Sequence, residues 1–267
     1  MTSSLQFLGT AGARHVVASQ ARHSGGLVWR VAGATVWVDP GPGALVRALA
    51  AAPPLDPAQV TALLLTHRHL DHAGDATAAV EAMTGGGFHA RGALYAPADA
   101  LDEEPVVFRY AQRFPRKVVR LHAGGSYRLA EGLVLETPLA HDHGVETYGY
   151  RLSFGGFTAA HVVDTFWMDA LPAAYAGVEL LIVNTTRRSG RDRRILHLGV
   201  DDAERLVAAV RPRLAVLTHF GKQLLAGPPA RFARELAERT GVEVLAAEDG
   251  LVLPLGAEAL DAPLAGR

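Results

Sequence analysis

Hydrophobic positions along the chain form short runs whose spacing alternates between strand and helix. Apolar runs of strand length lie at 27–31, 35–38, 63–65, 180–183 and 214–218. The first two flank Ala32-Gly33-Ala34, which predicts a hairpin. Helical spacing covers 44–52, 73–83, 201–210 and 228–239. Several short strands with glycine turns are expected between Gly124 and Phe157.

This alternation continues along the chain without a linker or a low-complexity segment. It is typical of the α/β class, in which helices cover the faces of a sheet. We therefore predict a single domain over residues 1–256. Residues 257–267 are predicted to form a flexible tail.

The composition is that of a soluble globular protein, with 49% hydrophobic and 20% charged residues. No apolar run approaches the roughly 18 residues needed to cross a bilayer, so no membrane association is expected. Residues 1–8 lack a basic segment followed by an apolar one, which predicts a cytoplasmic protein without a secretory signal. The net charge of −1 provides no general attraction to nucleic acid.

The chain contains no cysteine. This excludes disulfides, thiolate metal sites and a cysteine nucleophile. Any metal ion must therefore be held by imidazole and carboxylate groups, which suit zinc, manganese or iron.

The strongest chemical signal is the run Thr-His-Arg-His-Leu-Asp-His at 66–72, directly after the apolar run 63–65. So many imidazoles beside a carboxylate cannot be buried without partners. An accidental polar loop is the alternative to metal binding, which the density of ligands favours. Asp164 and His219 also follow apolar strands, where α/β folds present functional groups.

The motif H-x-H-x-D-H after a buried strand resembles that of the metallo-β-lactamase superfamily. The segments Phe-Leu-Gly-Thr at 7–10 and Val-Asp-Pro-Gly at 38–41 resemble the first strand and the aspartate turn of that family. The resemblance implies a four-layer αββα sandwich, an α/β (α+β) fold with the site at one edge between two sheets.

The resemblance also implies two divalent metal ions, with zinc expected and manganese or iron as alternatives. Their implied ligands are His67 and His69 for the first ion, Asp71, His72 and His219 for the second, and Asp164 between them. Asp39 would orient a ligand histidine, although an aspartate before proline is also common in plain turns.

The remaining ligand of the first ion is either His141 or His143. Thioesterase and lactamase relatives carry this histidine in a T-P-G-H-T segment, and after Thr137-Pro138 the spacing to His141 is one residue too long. The phosphodiesterase branch places a histidine six residues before Gly-Tyr, which His143 and Gly149-Tyr150 match. We predict His143 as the ligand and His141 as a supporting neighbour.

His197 lies among leucines, where a histidine is often structural. In ribonuclease Z and the phosphoribosyl cyclic phosphodiesterases, however, a histidine in this interval contacts phosphate and protonates the leaving oxygen. By resemblance, His197 is the candidate general acid.

Five arginines precede His197, namely Arg187, Arg188, Arg191, Arg193 and Arg194. Guanidinium groups bind phosphate oxygens in pairs, so we expect this loop, and Arg187 and Arg188 in particular, to face the substrate. A solvated surface loop is the alternative.

The predicted function is a dinuclear metal-dependent hydrolase, a phosphodiesterase that acts on a small or cyclic phosphodiester through a metal-bridging hydroxide, with Asp71 orienting the nucleophile. The short stretch 151–163 leaves no room for the tRNA-binding arm of ribonuclease Z. The alternatives are a glyoxalase-type thioesterase or lactonase, an armless nuclease on single-stranded nucleic acid and a non-catalytic sensor. A homodimer is expected, since dimers are common in the superfamily.

Overall fold

The computed structural model describes residues 3–256, and the predicted tail at 257–267 lies outside the described residues. Two seven-stranded mixed sheets form the centre of the described chain. Within this range no helix is long and apolar enough to cross a membrane.

The first sheet has the strand order β14-β1-β2-β3-β4-β5-β6. Its strands are β1 (Ser4–Phe7), β2 (Leu27–Val31), β3 (Ala34–Val38), β4 (Ala62–Leu64), β5 (Ala93–Ala96), β6 (Lys117–Arg120) and β14 (Val252–Pro254). Strands β3 to β6 are parallel, whereas β14, β1, β2 and β3 pair in antiparallel fashion.

The second sheet has the order β13-β12-β11-β10-β9-β8-β7. Its strands are β7 (Gly125–Ala130), β8 (Leu133–Thr137), β9 (Tyr150–Phe154), β10 (Phe157–Val162), β11 (Leu180–Asn184), β12 (Leu214–Thr218) and β13 (Glu243–Ala246). Strands β10 to β13 are parallel, and β7 to β10 are antiparallel.

Helices lie on the outer faces of both sheets. They are α1 (Ala13–Ser19), α2 (Ala44–Ala50), α3 (Leu70–Ala73), α4 (Ala76–Thr84), α5 (Leu171–Ala174), α6 (Val200–Val210), α7 (Lys222–Leu225) and α8 (Pro229–Thr240), with short 3-10 helices at Pro57–Gln59 and Ala111–Arg113. The predicted helix at 73–83 is therefore divided by a break at Gly74-Asp75. The helices α1, α5 and α7 were not predicted from the sequence.

Three hydrophobic layers hold the sandwich together. Side chains from both sheets, such as Trp29 and Leu152, form the central layer. Helices α2 and α4 cover the first sheet and contribute Met83, while α5, α6 and α8 cover the second and contribute Leu206 and Leu236. The predicted four-layer αββα fold is confirmed.

The two predicted apolar runs 180–183 and 214–218 are buried along their whole length as β11 and β12. Parallel strands covered on both faces require such continuous apolar sequences. The predicted hairpin is β2 and β3, joined by Ala32 and Gly33, which both have positive φ (49° and 72°). Positive φ at both central residues is typical of the type I′ turn, whose twist matches that of the flanking strands.

Candidate metal centre

Loops that follow parallel strands of both sheets meet at one edge of the sandwich. β4 leads through Leu65 and Thr66 to His67, β10 leads to Asp164, and β12 leads to His219. Because the carboxyl ends of parallel strands lie at the same edge, residues far apart in sequence come together here.

One group of donors consists of His67, His69 and His143, each with one ring nitrogen within 4.8 Å of the others. Nδ1 of His69 and Nε2 of His143 are 3.0 Å apart. His67 is completely buried, whereas His69 is partly open to solvent. The group consists of the residues predicted for the first ion. His143, not His141, is the third member.

A second group contains Asp71, His72, Asp164 and His219, again with donor atoms within 4.8 Å of one another. Nε2 of His72 and Nε2 of His219 are 3.0 Å apart. Oδ2 of Asp71 lies 3.4 Å from Nε2 of His219. These are the residues expected for the second ion.

The Asp164 carboxylate lies between the two groups. Its Oδ2 is 3.8 Å from His67 Nε2, 3.5 Å from His143 Nε2 and 3.3 Å from His72 Nε2. Both Asp164 Oδ2 and His67 Nε2 are buried and have no hydrogen-bond partner within the described chain. Buried polar atoms without partners are rare in proteins, and imidazole and carboxylate donors suit zinc, manganese or iron. The arrangement therefore fits divalent cations.

The electrostatics favour the ligand forms of His67, His143 and Asp164, whereas at His72 burial is outweighed by the carboxylates of Asp71 and Asp164, which raise its pKa. Burial lowers the pKa of His143 to about 4 and holds the pKa of His67 well below its usual value. Burial opposes ionisation of Asp164, but the surrounding histidines His219, His197 and His72 outweigh it and lower the carboxyl pKa. Neutral imidazoles and ionised carboxylates are the forms that bind metal ions.

Asp39 supports the second group from β3. Nδ1 of His72 donates to Asp39 Oδ2 at 2.9 Å, which leaves Nε2 of His72 directed at the group. The Thr66 amide and hydroxyl donate to the two carboxylate oxygens at 2.8 and 2.6 Å. Asp39 thus connects the end of β3 with the loop that carries His67.

His141 and His143 have different surroundings. Nδ1 of His143 donates to the Leu196 carbonyl at 2.7 Å, so its Nε2 points to the first group. His141 is turned away, with Nδ1 3.2 Å from the Asp164 carbonyl and Nε2 2.8 Å from the Tyr175 hydroxyl. Burial lowers the pKa of His141 to about 4. Both nitrogens of His141 are therefore occupied by protein atoms.

His197 lies at the rim of the centre. Its Nδ1 is 3.6 Å from Asp164 Oδ2 and 3.3 Å from the Thr186 hydroxyl. The ring is half-buried and contacts that of His143. With Nδ1 directed inward, Nε2 is the nitrogen left for a ligand.

The structure does not support the expectation that Arg187 and Arg188 face the substrate. Arg187 is buried and donates to the Asp192 carbonyl at 2.8 Å, and Arg188 lies over the Phe232 ring. Neither lines the cleft above the two groups, whereas Arg194 of the same loop does. The arginines of this loop contact Asp192 within it and Asp142, Asp201 and Phe232 outside it, so most of these guanidinium groups already have partners.

Two polar residues behind Asp164 were not identified from the sequence. The Asn184 side-chain amide donates to Asp164 Oδ1 at 2.9 Å, and Nε2 of His161 donates to the Asn184 side-chain oxygen at 2.8 Å. Both are buried, and they border a small cavity of about 40 Å³. For Asn184, the sequence offered one signal, which is that this polar residue directly follows the apolar run 180–183.

The comparisons with known proteins agree with this fold. A family model described as a beta-lactamase superfamily domain matches residues 34–220. An uncharacterized protein of Methanocaldococcus jannaschii, MJ1374, is 30% identical over 256 residues, which cover 93% of this chain and 94% of that protein.

Solved structures with similar folds include the following two. The metallo-beta-lactamase fold protein YhfI from Bacillus subtilis matches with a TM-score of 0.77 and 20% identity, over 94% of this chain and 99% of that one. A diphosphatase from the PhnP family matches with a TM-score of 0.69 and 21% identity, over 96% and 98% of the two chains. At these identities the similarity concerns the fold.

Proposed function

The chain belongs to the metallo-β-lactamase superfamily and has the fold of its metal-dependent hydrolases, and from this premise we propose that it hydrolyses small phosphodiesters, cyclic ones included, with two divalent metal ions. The observation that carries the proposal is the position of His197. It belongs to neither of the two predicted ligand sets, yet its Nδ1 lies 3.6 Å from the Asp164 carboxylate at the cleft.

The proposed ions would occupy the two donor groups. His67, His69 and His143 would hold one ion and Asp71, His72 and His219 the other, with Asp164 shared. Two divalent ions in such a site stabilise charge on phosphoryl oxygens and lower the pKa of water. Zinc is the ion we expect first.

Supporting contacts would keep the donor atoms in position. Asp39 orients His72, and the Leu196 carbonyl orients His143. The Ala13 amide donates to Asp71 Oδ2 at 3.1 Å and orients this carboxylate at the floor of the cleft. Such preorganisation avoids rearrangement during the reaction.

His197 would supply the proton for the leaving group. Water adds to phosphorus, the P–O bond to the leaving group breaks, and the electron pair stays on the departing oxygen. Nε2 of His197 donates a proton to that oxygen, and the proton lost by the water restores the histidine through solvent. The products are a phosphomonoester and an alcohol, which stay joined in one molecule when the diester is cyclic.

Two further observations favour phosphorus chemistry on a small molecule. One of the structures with a similar fold is described as a diphosphatase, an enzyme that acts on phosphate groups. A polynucleotide would need a row of unpaired cations, but Arg191, Arg193 and Arg194 each form a salt bridge with a neighbouring aspartate.

The test compares metal-loaded protein on bis-p-nitrophenyl phosphate and on a thioester of glutathione. We expect cleavage of the diester. Thioester hydrolysis without diester cleavage would instead identify the thioesterase alternative.

A His197→Ala variant tests the role of the acid. We expect about a hundredfold loss of kcat on methyl phenyl phosphate, with a much smaller loss on methyl p-nitrophenyl phosphate, because p-nitrophenolate leaves without a proton. Metal content is expected to stay constant. His89→Ala, at an exposed histidine after α4, is the control. Equal losses on both esters would contradict proton donation.

A further inference from the structure

The cleft above the metal-binding groups has apolar walls. Leu70 at the start of α3 is 71% exposed and Ile195 is 46% exposed, and both line this cleft. Val17 and Ala18 of α1 and Leu196 extend the apolar walls of a space of about 950 Å³, which Arg14, His15 and Arg194 also line. Adjacent exposed apolar side chains around a concave site are typical of ligand binding.

Two arginines line the rim of the same cleft, and they differ in whether a carboxylate already neutralises their charge. The Arg194 guanidinium donates to both carboxylate oxygens of Asp192 at 3.0 and 2.9 Å, so its charge is largely balanced. Arg14 of α1 is exposed, and no carboxylate between residues 3 and 256 forms a salt bridge with it. Arg14 is therefore the cation available to an incoming anion.

We propose that the cleft selects a small, freely dissolved phosphodiester that carries one apolar alkyl or aryl substituent. The inference rests on the phosphodiesterase function proposed above. The phosphoryl group would lie over the two donor groups, and the apolar substituent would lie along Leu70 and Ile195. Arg14 would attract the single negative charge of the diester.

The chemistry of the walls favours this substrate over a nucleotide. Sugar hydroxyls and bases need hydrogen-bond partners when they lose water, but Leu70, Ile195 and Leu196 offer only apolar side chains. An alkyl or aryl group gains free energy from the same surface. The cleft is therefore expected to prefer diesters with an apolar substituent on one of the two ester oxygens.

The experiment measures kcat/KM for methyl, ethyl, butyl and hexyl p-nitrophenyl phosphates with metal-loaded protein. The leaving group is constant, so only the retained substituent changes. We expect a rise of about twofold per methylene, since an open cleft provides part of the roughly fourfold gain of complete burial. A constant kcat/KM across the series with clear turnover overturns the inference and leaves the phosphodiesterase proposal intact.

Variants then locate the effect. Ile195→Ser and Leu70→Ser are each expected to lower the ratio of the hexyl to the methyl ester at least about threefold, whereas Leu49→Ser is the matched control. Leu49 is 57% exposed on α2 and does not line the cleft. If the ratio falls equally in Leu49→Ser, the walls of the cleft are not the cause.

A binding measurement does not depend on turnover. Calorimetric titration of the metal-loaded protein with methyl-, butyl- and hexylphosphonic acid is expected to give a Kd that decreases with chain length and a negative heat-capacity change. This result with no cleavage of any diester would reject the phosphodiesterase proposal and keep the apolar cleft. A Kd independent of chain length would reject the apolar cleft.

Discussion

The two sheets contribute to the metal centre in different ways. The first sheet provides its donors from a single loop after β4, namely His67, His69, Asp71 and His72. The second sheet provides its donors from three separate loops, namely His143, Asp164 and His219, and a fourth loop places His197 at the rim. The donors of the first sheet, the first half of the centre, are neighbours in the sequence. Those of the second sheet, the second half, are far apart in the sequence and come together only when its strands pair.

The supporting contacts differ in the same way. In the first half, Asp39 and Thr66 connect neighbouring parallel strands and orient His72. In the second half, each donor has its own support, such as Asn184 for Asp164 and Thr186 for His219, whose Nδ1 lies 3.0 Å from the Thr186 hydroxyl. The second half therefore depends on more independent contacts, and single substitutions there should have separable effects.

The largest effect is expected where the two halves meet, at Asp164. Asp164→Asn removes the buried charge that faces both donor groups. Since loss of a merely supporting contact typically costs about 10- to 100-fold, we expect more than a hundredfold loss of diester cleavage and reduced occupancy of both metal sites. Metal analysis and kinetics together measure this.

Asp169→Asn is the control for this substitution, because Asp169 is an exposed carboxylate in the loop after Asp164. It should keep its metal content and activity. If Asp164→Asn retained both ions and its activity, the dinuclear arrangement would be wrong.

A smaller and more selective effect is expected from the paired variants His143→Ala and His141→Ala. His143→Ala should lose one ion per chain and activity by about a hundredfold, at the upper range for perturbed metal sites. His141→Ala should keep both ions but lower the free energy of unfolding by about 1–3 kcal/mol, because the buried Tyr175 hydroxyl loses its partner.

Metal stoichiometry and chemical denaturation separate these two results. Loss of metal in His141→Ala with normal metal content in His143→Ala would reverse our assignment of the two histidines. The same outcome would weaken our proposal that the protein is a phosphodiesterase.

The smallest effect is expected behind the centre, at Asn184. Asn184→Ala removes the donor to Asp164 Oδ1 and leaves His161 without its partner. We expect about a tenfold lower metal affinity, measured by competition with a chelator. Thr158→Ala, whose hydroxyl lies at the other end of β10 beside Ser153, is the control. If Asn184→Ala changed the free energy of unfolding alone, its role would be structural only.

The sequence by itself determined the first half of the centre and the core of the fold. Residues 66–72 follow a buried strand directly, so chain connectivity alone brings their side chains together. The continuous apolar runs that became β11 and β12 predicted strands, and the end of the second run located His219 at the sheet edge.

Only the tertiary structure decided how the loops of the second half use their polar residues. His141 and His143 are two positions apart, and the bonds from His141 to the Asp164 carbonyl and the Tyr175 hydroxyl decide which one faces the donors. Likewise, the buried contact to the Asp192 carbonyl removes Arg187 from the cleft. Such outcomes depend on partners distant in sequence, because a loop has no periodic pattern that states which of its side chains will be buried.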